Sequence, residues 1–443
     1  MHPKHPLERF QALLRFPTIS RPDEATIDVA AFERFAAALP TLYPSLHASL
    51  EREVVADHSL LYRWRGSSDA APAVLMAHYD VVPATDEGWQ HPPFAAVVTG
   101  EGPERVLWGR GSLDDKGALV AILEAVEGLV AAGYTPEHDV YLSFGHNEET
   151  AGGGAIAVAS LLESRGIRPA LVLDEGGAIV EGIFPTVTAP AAVIGVAEKG
   201  LVNLLLSVEQ EGGHASTPPR STATTRLARA VTRLAARPYP ARFSPTNLEM
   251  IRTLGAHATG PLRTIFRAAT ITRPLLQLVF ARLSEETSAM VRTTLAVTQL
   301  SGSAAANVLA ERATATVNIR VAVGSTVAEA VDHVRRSVRD SSVRIEVLEA
   351  SEPSPVSPTV GPAWSKLSKA ITDIHPGVVV TPYIQLGASD SRRFTGISNN
   401  VYRFTPFEMS KEERGTLHAM NERIHVDTWL RGIEFYVALL RSL

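Results

Sequence analysis

Histidine and acidic side chains follow three short apolar segments of the sequence. The segments are 73–77, 140–144 and 170–173, and the side chains that follow them include His78, Asp80, Glu148, Glu149 and Asp174. Short apolar runs that end in polar residues are typical of buried parallel strands. In an open α/β sheet, ligands bind at the carboxyl ends of the strands. The sequence therefore predicts one polar rim where these side chains converge.

A further acidic pair, Asp114-Asp115, stands immediately before a predicted helix. Several carboxylates on one rim repel one another, and a bound cation is the simplest partner that would hold them together. Because imidazole accompanies the carboxylates, zinc fits this donor set better than calcium. The chain has no cysteine, which excludes a thiolate metal site, a cysteine nucleophile and a disulfide framework.

Each of these clusters, taken alone, also has an ordinary structural explanation. His78-Tyr79-Asp80 could be a polar strand end, and Glu148-Glu149 a solvated helix start. Asp114-Asp115 could cap a helix and interact with its dipole. The recurrence of such clusters at every predicted strand end is what favours a functional site.

Helical patterns alternate with the apolar segments. Leucine, isoleucine and valine recur at helical spacing over 119–130, with Gly133 as the predicted stop, and 155–165 is a second predicted helix. The last part of the chain offers a helix at 364–374, a strand at 378–382 and a closing helix from Asp427. This alternation predicts an α/β sheet with helices on both faces.

The charge distribution indicates more than one unit. The 443 residues are 45% apolar and 20% charged, with a net charge of −5, which excludes a globally basic nucleic-acid binder. Residues 220–345 contain 18 Arg, no Lys and 7 acids, so this segment carries +11 and the rest −16. The predicted divisions are a catalytic part at 1–197, an inserted lid at 198–351 with a helical stretch near 221–295, and a second catalytic part at 352–443.

The start of the chain lacks an apolar signal core, and no run of about 18 apolar residues occurs. We therefore expect a cytoplasmic protein without a membrane partner. The basic segment raises the alternative of a polyanion-binding protein. Because that segment lacks lysine and interleaved aromatic residues, nucleic acid is not the expected partner.

Five ordered motifs between about 70 and 425 resemble those of the M20 family of two-metal peptidases and amidohydrolases, which includes carboxypeptidase S, aminoacylase, carnosinase and succinyl-diaminopimelate desuccinylase. The matching segments are 76–83, 109–117, 146–149, 173–177 and 417–422. The segment 173–177 and the long helical stretch resemble the carboxypeptidase S and N-acyl-amino-acid hydrolase branch. The resemblance implies a zinc-peptidase-type mixed sheet with an inserted α+β lid.

The resemblance also implies a ligand set for two divalent metal ions, zinc first, with cobalt or manganese as alternatives. Asp114 would bridge the two metals, with a cis peptide bond to Asp115. The remaining predicted ligands are His78 and Asp174 for one metal, with Glu175 as the alternative to Asp174, and Glu149 and His418 for the other.

Catalytic roles follow from the same resemblance. Asp80 would orient His78, and Glu148 would be the general base. Many relatives have Asp-Glu-Glu where this chain has Asn147-Glu148-Glu149, which removes one charge but neither glutamate.

The segment 212–218 matches a lid motif whose histidine, here His214, steadies the oxyanion, sometimes across a dimer. Asn307 and Arg320 match lid positions that contact the substrate, although Arg320 also reads as a solvated strand residue. Gly387 belongs to a loop that resembles a lining of the substrate pocket. The resemblance allows a homodimer through the lid.

The expected function is hydrolysis of an amide or peptide bond next to a free carboxylate, by a hydroxide bound to both metals. The substrate would be a small peptide or an N-acyl amino acid. The alternative keeps the metal site and acts on a free amino terminus, as an aminopeptidase or dipeptidase does.

Overall fold

The computed structural model describes residues 5–182 and 186–443. The first four residues of the predicted catalytic part, and 183–185 within it, lie outside the described residues. The helices are α1 (Pro6–Leu14), α2 (Val29–Leu42), α3 (Pro44–Ser49), α4 (Lys116–Ala131), α5 (Gly154–Ser164), α6 (Ala223–Ala235), α7 (Pro245–Gly255), α8 (Pro261–Arg267), α9 (Arg273–Leu283), α10 (Glu285–Val291), α11 (Val327–Val338), α12 (Pro362–Ile374), α13 (Lys411–Arg414) and α14 (Val426–Ser442). Short 3₁₀ helices occupy Glu24–Thr26, Gly102–Glu104, Glu148–Thr150 and Asp390–Gly396.

The strands are β1 (Glu51–Val55), β2 (Ser59–Trp64), β3 (Ala73–His78), β4 (Val97–Thr99), β5 (Val106–Trp108), β6 (Val140–Gly145), β7 (Leu171–Asp174), β8 (Ile179–Val180), β9 (Ala191–Glu198), β10 (Gly200–Glu209), β11 (Gly213–His214), β12 (Thr294–Ser301), β13 (Val308–Leu309), β14 (Arg312–Val321), β15 (Arg344–Ser351), β16 (Val379–Gln385), β17 (Val401–Arg403), β18 (Glu408–Met409) and β19 (Arg423–His425).

A large mixed sheet forms the catalytic half. Among the described residues its ten strands run in the order β1-β2-β6-β3-β7-β17-β9-β8-β18, with β16 paired to β9. The neighbours β6, β3, β7 and β17 are parallel, so their carboxyl ends meet at one edge. This arrangement confirms the predicted α/β class and the three apolar strands that precede the polar clusters.

Helices cover both faces of this sheet, as the alternation predicts. On one face α4 packs against α1, α3 and α14, and α14 packs against α12, around a core that includes Phe10, Leu119 and Trp429. On the other face α5 covers a smaller core that includes Met76 and Val158. The strands are apolar on both faces because both faces are covered.

The strands of the predicted lid form an antiparallel sheet in the order β12-β14-β10-β15, covered on one face by α6 and α11. Along β14, Ala315, Val317 and Ile319 are buried, and the residues between them are partly exposed. The strand ends at Val321, and the chain turns at Gly324, whose φ is +89°.

The helices α7 to α10 lie within the predicted lid segment but share their core with the catalytic sheet. Phe243, Phe266 and Phe280 pack in one cluster with Val193 of β9 and Val379 of β16. The helices α7 to α10 thus lie between the lid strands in the sequence, but they pack against the catalytic half. In the described part of the chain, no helix is both long enough and apolar enough to cross a bilayer.

Candidate metal centre

His78 is the last residue of β3, and its side chain is buried. Its Nδ1 lies 3.2 Å from Oδ1 of Asp80 and 3.0 Å from the Asp80 backbone oxygen. Its Nε2 lies 3.0 Å from Oδ1 of Asp114 and 3.7 Å from Oε1 of Glu175. One ring nitrogen is thus held from behind while the other points at carboxylates, which is how proteins orient a ligating imidazole.

Asp114 stands between two histidines, in the loop before α4. Its Oδ2 lies 2.9 Å from Nε2 of His418, and the same nitrogen lies 3.0 Å from Oε2 of Glu149. Two groups of potential metal ligands result, His78 with Asp114 and Glu175, and Asp114 with Glu149 and His418. Within each group the ligand atoms lie within 4.8 Å of one another. Asp114 belongs to both groups, and its peptide bond to Asp115 is cis, as predicted.

The elements that carry the second group are short and irregular. Glu149 belongs to the 3₁₀ helix Glu148–Thr150, which follows β6. His418 lies in the turn between α13 and β19 with a φ of +58°. A residue other than glycine rarely adopts this left-handed conformation, and such backbone conformations cluster at functional sites.

At the fourth motif the geometry favours Glu175, the predicted alternative, over Asp174. Oδ2 of Asp174 accepts a hydrogen bond of 2.7 Å from the backbone N–H of Ser391, so this carboxylate faces the loop before the 3₁₀ helix at 390–396. The next residue, Glu175, approaches His78 and Asp114 instead. Because successive side chains at the end of a strand point in opposite directions, only one of the two acids can face the cluster.

Asp80 holds two parts of the site in place. In addition to its contact with His78, it accepts hydrogen bonds of 3.2 Å from the backbone N–H groups of Glu148 and Glu149. Burial acts to raise the pKa of Asp80, but the hydrogen bond and charge of His78 outweigh burial and the pKa lies below its usual value. The sequence-based prediction that Asp80 orients His78 agrees with this geometry.

Glu148 lies beside the cluster but belongs to neither ligand group. Burial raises the pKa of Glu148 well above its usual value, the charge of His78 opposes this, and the carboxylates of Asp390 and Asp114 add to it. Asp390 was not among the predicted site residues. Burial, with a contribution from Asp174, raises the pKa of Asp390 to about 8. A carboxylate with a raised pKa is suited to accept a proton near neutral pH.

Glu422 is a site residue to which sequence reasoning assigned no role. It is fully buried and accepts hydrogen bonds from the Arg110 guanidinium at 2.6 Å and from the backbone N–H groups of Gly111, Leu113 and Asp114 at 2.8–3.1 Å. It therefore fixes the loop that carries Asp114. Its membership in the segment 417–422 was the only signal in the sequence, since neither its burial nor its partners are visible there.

Lys116 and Gly117, the last two residues of the second motif, have structural roles. Lys116 is fully buried, and its Nζ donates a hydrogen bond of 2.6 Å to the backbone oxygen of Phe16. Burial lowers the pKa of Lys116 to about 7, while the charges of Asp80 and Glu422 act in the opposite direction. A Cβ at Gly117 would lie 2.3 Å from the backbone oxygen of Ser112, so only glycine fits this close turn.

His214 and Asn307 lie together in the lid, apart from the acidic cluster. His214 pairs with Val308 in the short ladder of β11 and β13, and the backbone oxygen of Asn307 accepts a hydrogen bond of 3.1 Å from Ala215. Both residues are exposed. Across the described ranges, no hydrogen bond or ion pair joins His214 to Asp114 or Glu149. Within one chain, no described hydrogen bond or ion pair thus links the predicted oxyanion residue to these ligands.

Arg320 lies at the junction of the lid and the catalytic half. It is paired with Leu201 at the start of β10. Burial and the charge of Arg320 lower the pKa of Lys199 to about 8. Burial also lowers the pKa of Arg392, and the neighbouring arginines, Arg320 among them, contribute. The buried carboxylate of Glu198 lies 3.8 Å from the Arg392 guanidinium and partly neutralises these cations. The positive charge that remains favours an anion. Gly387 is exposed in the loop after β16.

The residues of the cluster fit divalent metal ions. Oε1 of Glu149 and Oδ1 of Asp115 are buried and have no hydrogen-bond partner among the residues that the structure describes. A buried carboxylate oxygen without a proton donor is costly, and a bound cation removes that cost. Imidazole with carboxylate is the donor set of zinc and of similar transition metals.

The comparisons with known proteins agree with this chemistry. The sequence matches the peptidase family M20/M25/M40 over residues 74–442. The human N-fatty-acyl-amino acid synthase/hydrolase PM20D1 is 35% identical over 442 residues, covering 98% of this chain and 87% of its own length. Carboxypeptidase S of Saccharomyces cerevisiae is 31% identical and covers 89% of this chain and 75% of its own length.

Solved structures share the fold. An M20 family metallo-carboxypeptidase from Sulfolobus solfataricus superimposes with a TM-score of 0.72 at 18% identity, covering 99% of both chains. Human carnosine dipeptidase 1 superimposes with a TM-score of 0.68 at 14% identity, covering 99% of this chain and 95% of its own. At these identities the likeness concerns the fold.

Proposed function

This chain belongs to the M20 peptidase family and is a metal-dependent hydrolase of amide bonds; from that premise we propose that it cleaves an amide bond next to a free carboxylate, in an N-acyl amino acid or at a peptide C-terminus. The observation that carries the proposal is the sharing of Asp114 by two ligand groups, with Glu148 free beside them. The similarity to an N-fatty-acyl-amino acid synthase/hydrolase and to a carboxypeptidase supports this substrate class.

His78, Asp114 and Glu175 would hold one divalent ion, and Asp114, Glu149 and His418 would hold the other. When bound, such ions, zinc by the donor set, would supply polarisation of the scissile carbonyl and a lowered pKa of the attacking water. Glu148 accepts the proton of the attacking water and passes it to the leaving nitrogen. Asp80 keeps the ring of His78 oriented, and through its two backbone contacts it keeps Glu148 and Glu149 in place.

The substrate carboxylate is proposed to bind at the cationic junction of Lys199, Arg320 and Arg392. Arginine can bind a carboxylate with two parallel hydrogen bonds. The lid would thus bind the substrate carboxylate through Arg320, while the catalytic half carries the reacting groups. We extend the proposal to the exposed His214, which would stabilise the oxyanion from a second copy of the chain.

The test compares three substrates on the metal-loaded enzyme: an N-acyl amino acid, its carboxamide, and a free dipeptide. We expect the N-acyl amino acid to be cleaved and the carboxamide to show a raised KM. Arg320→Met should remove this preference for the carboxylate. If the carboxamide and the acid are cleaved equally well, the proposed substrate class is wrong, and a clear preference for the dipeptide favours the aminopeptidase alternative.

Glu148→Gln tests the general base. We expect kcat to fall by about 10²–10⁴-fold, with unchanged metal content and unchanged thermal unfolding. The matched control is Glu163→Gln on α5, where the glutamate is exposed and pairs with Arg168. Full activity in Glu148→Gln would contradict the mechanism.

A further inference from the structure

The helix α9 exposes apolar side chains along one side. The exposed fractions are 85% for Ile271, 54% for Leu275, 51% for Leu278, 43% for Val279 and 53% for Leu283, and these five residues are called the α9 stripe. Ile271 lies in the turn before α9, and Leu275, Leu278 and Val279, spaced i, i+3 and i+4, lie on one face of the helix. The described residues include fifteen exposed large hydrophobic side chains, so a third of them fall within thirteen positions.

The fold does not require this stripe. The opposite face of α9 buries Leu276 and Phe280, and the ring of Phe280 contacts that of Phe243 edge to face at 5.4 Å. These residues already anchor the helix in the core of the helical insertion. The stripe therefore presents apolar surface to the outside, and such patches mark interaction sites when they are contiguous.

The surroundings of the stripe are basic. From 250 to 284 the sequence contains five arginines and no acid, and the exposed Glu285 and Glu286 follow at the start of α10. Arg263, Arg267 and Arg282 are exposed, and none of the ion pairs within 5–182 and 186–443 involves them. An apolar stripe flanked by arginine is the pattern of a helix that lies in the interface of a membrane with anionic lipids.

We propose that the α9 stripe docks on an anionic lipid surface, with α9 lying in the plane of the headgroups. A second copy of the chain fits less well, because a symmetric contact would bring the exposed arginines of both copies together. The bilayer supplies both apolar area and negative charge. This property is independent of the proposed hydrolysis and goes beyond it.

The test is co-sedimentation of the full chain with vesicles of phosphatidylcholine, alone or mixed with phosphatidylglycerol. We expect association with the anionic vesicles, weakened by salt, and little with the neutral ones. The variant Leu275→Ser/Leu278→Ser/Val279→Ser should bind at least about tenfold more weakly. Arg263→Gln/Arg267→Gln/Arg282→Gln should lose the preference for anionic lipid.

The matched control is Val347→Ser/Leu348→Ser on β15 in the lid, where both side chains are also exposed. It should bind vesicles as the unchanged protein does. Equal sedimentation with neutral and anionic vesicles, or unchanged binding by the α9 variant, overturns the proposal. A dimer in solution that the α9 variant converts to a monomer also overturns it, because the stripe is then an interface between copies.

Cleavage of a water-soluble substrate by the same variants separates this proposal from the proposed function. It should be unchanged in the α9 variant, which also shows that the variant is folded. If the unchanged protein binds vesicles but cleaves no amide substrate, the proposed function fails and the docking surface stands.

Discussion

The carboxylate of Glu422 accepts a hydrogen bond of 3.1 Å from the backbone N–H of Asp114, although 308 positions separate the two residues in the chain. Glu422 lies four residues after His418 in the sequence. Its contact therefore links the loop that carries the proposed ligand Asp114 to the turn that carries the proposed ligand His418. The backbone of Glu422 adds a second tie, since its oxygen accepts a hydrogen bond of 2.9 Å from Gly109.

Glu422→Gln should impair the metal centre without unfolding the protein. The amide keeps the size of the side chain but loses the charge that pairs with Arg110. Residues that support metal ligands from behind typically contribute about 10–100-fold in metal affinity or activity. We expect a loss of that order in metal affinity, measured by competition with a chromophoric chelator.

Glu412→Gln is the control for this prediction, because Glu412 lies in the same part of the chain with 82% of its side chain exposed. It should bind metal normally. Equal metal affinity in both variants would show that Glu422 does not position the ligands.

The fourth motif offers a choice between two adjacent acids. With Glu175 as the ligand, Glu175→Gln should lower the metal content of the purified enzyme, measured by elemental analysis. Asp174→Asn should keep the metal and disturb the loop at 389–391, because Asp174 bonds to the backbone of Ser391. The reverse result, with metal lost only from Asp174→Asn, would restore the assignment that the family resemblance implies.

Metal binding should release a proton from His418. Hydrogen bonds to Asp114 and Glu149 raise the pKa of His418 from 6.5 to about 10 in the metal-free protein, so the ring is protonated at neutral pH. A metal must displace this proton, and the apparent affinity should therefore rise with pH up to about 10. Calorimetry in two buffers with different heats of ionisation measures the proton release, which should shrink in His418→Gln.

The same shift has a consequence for the stability of the metal-free protein. Because the folded-state pKa of His418 lies above the unfolded value, its stabilising contribution is fully present below about pH 6.5 and is lost as pH rises toward 10. His418→Gln should flatten the fall of the thermal midpoint in this window. An unchanged pH profile would contradict the pairing of His418 with the two acids.

The docking of α1 on α4 depends on a buried ion pair. Arg9 bonds to both carboxylate oxygens of Glu124, and the hydroxyl of Tyr43 donates a hydrogen bond of 3.0 Å to the same carboxylate. Removing one partner leaves a buried charge, so Glu124→Ala should cost about 3–5 kcal/mol of stability. Thermal and urea unfolding measure the loss.

The exposed pair of Arg165 and Glu53 provides the comparison. Glu53→Ala should cost at most about 1 kcal/mol, because exposed pairs are screened by water. Similar losses in both variants would mean that burial does not set the contribution of the first pair.

Much of the catalytic half could be predicted because its signals are local. Apolar runs that end at His78, Glu148 and Asp174 identify strands and their polar ends without any knowledge of distant contacts. The shared edge follows from the parallel order of β6, β3 and β7, which the alternation of strands and helices already favours.

The remainder depends on long-range contacts that a single sequence does not display. Which of Asp174 and Glu175 faces the cluster is decided by the loop at Ser391, more than two hundred positions away. The role of Glu422 likewise rests on its distant partners. The helical stretch reads as part of the lid because it lies between the lid strands, but its phenylalanines pack against β9 and β16.

The position of β17 in the central sheet constrains the order in which the chain can fold during synthesis. This strand lies between β7 and β9 in the sheet. Although β7 and β9 are synthesised earlier, the sheet cannot connect them until residues 401–403 have left the ribosome. All four strands of the lid are made by then, and His418 emerges later still. Because domains generally fold as units during synthesis, the lid can be complete while the catalytic half waits for a strand. The nascent chain thus gains its full set of proposed metal ligands only late in translation, together with the strand that completes the catalytic sheet.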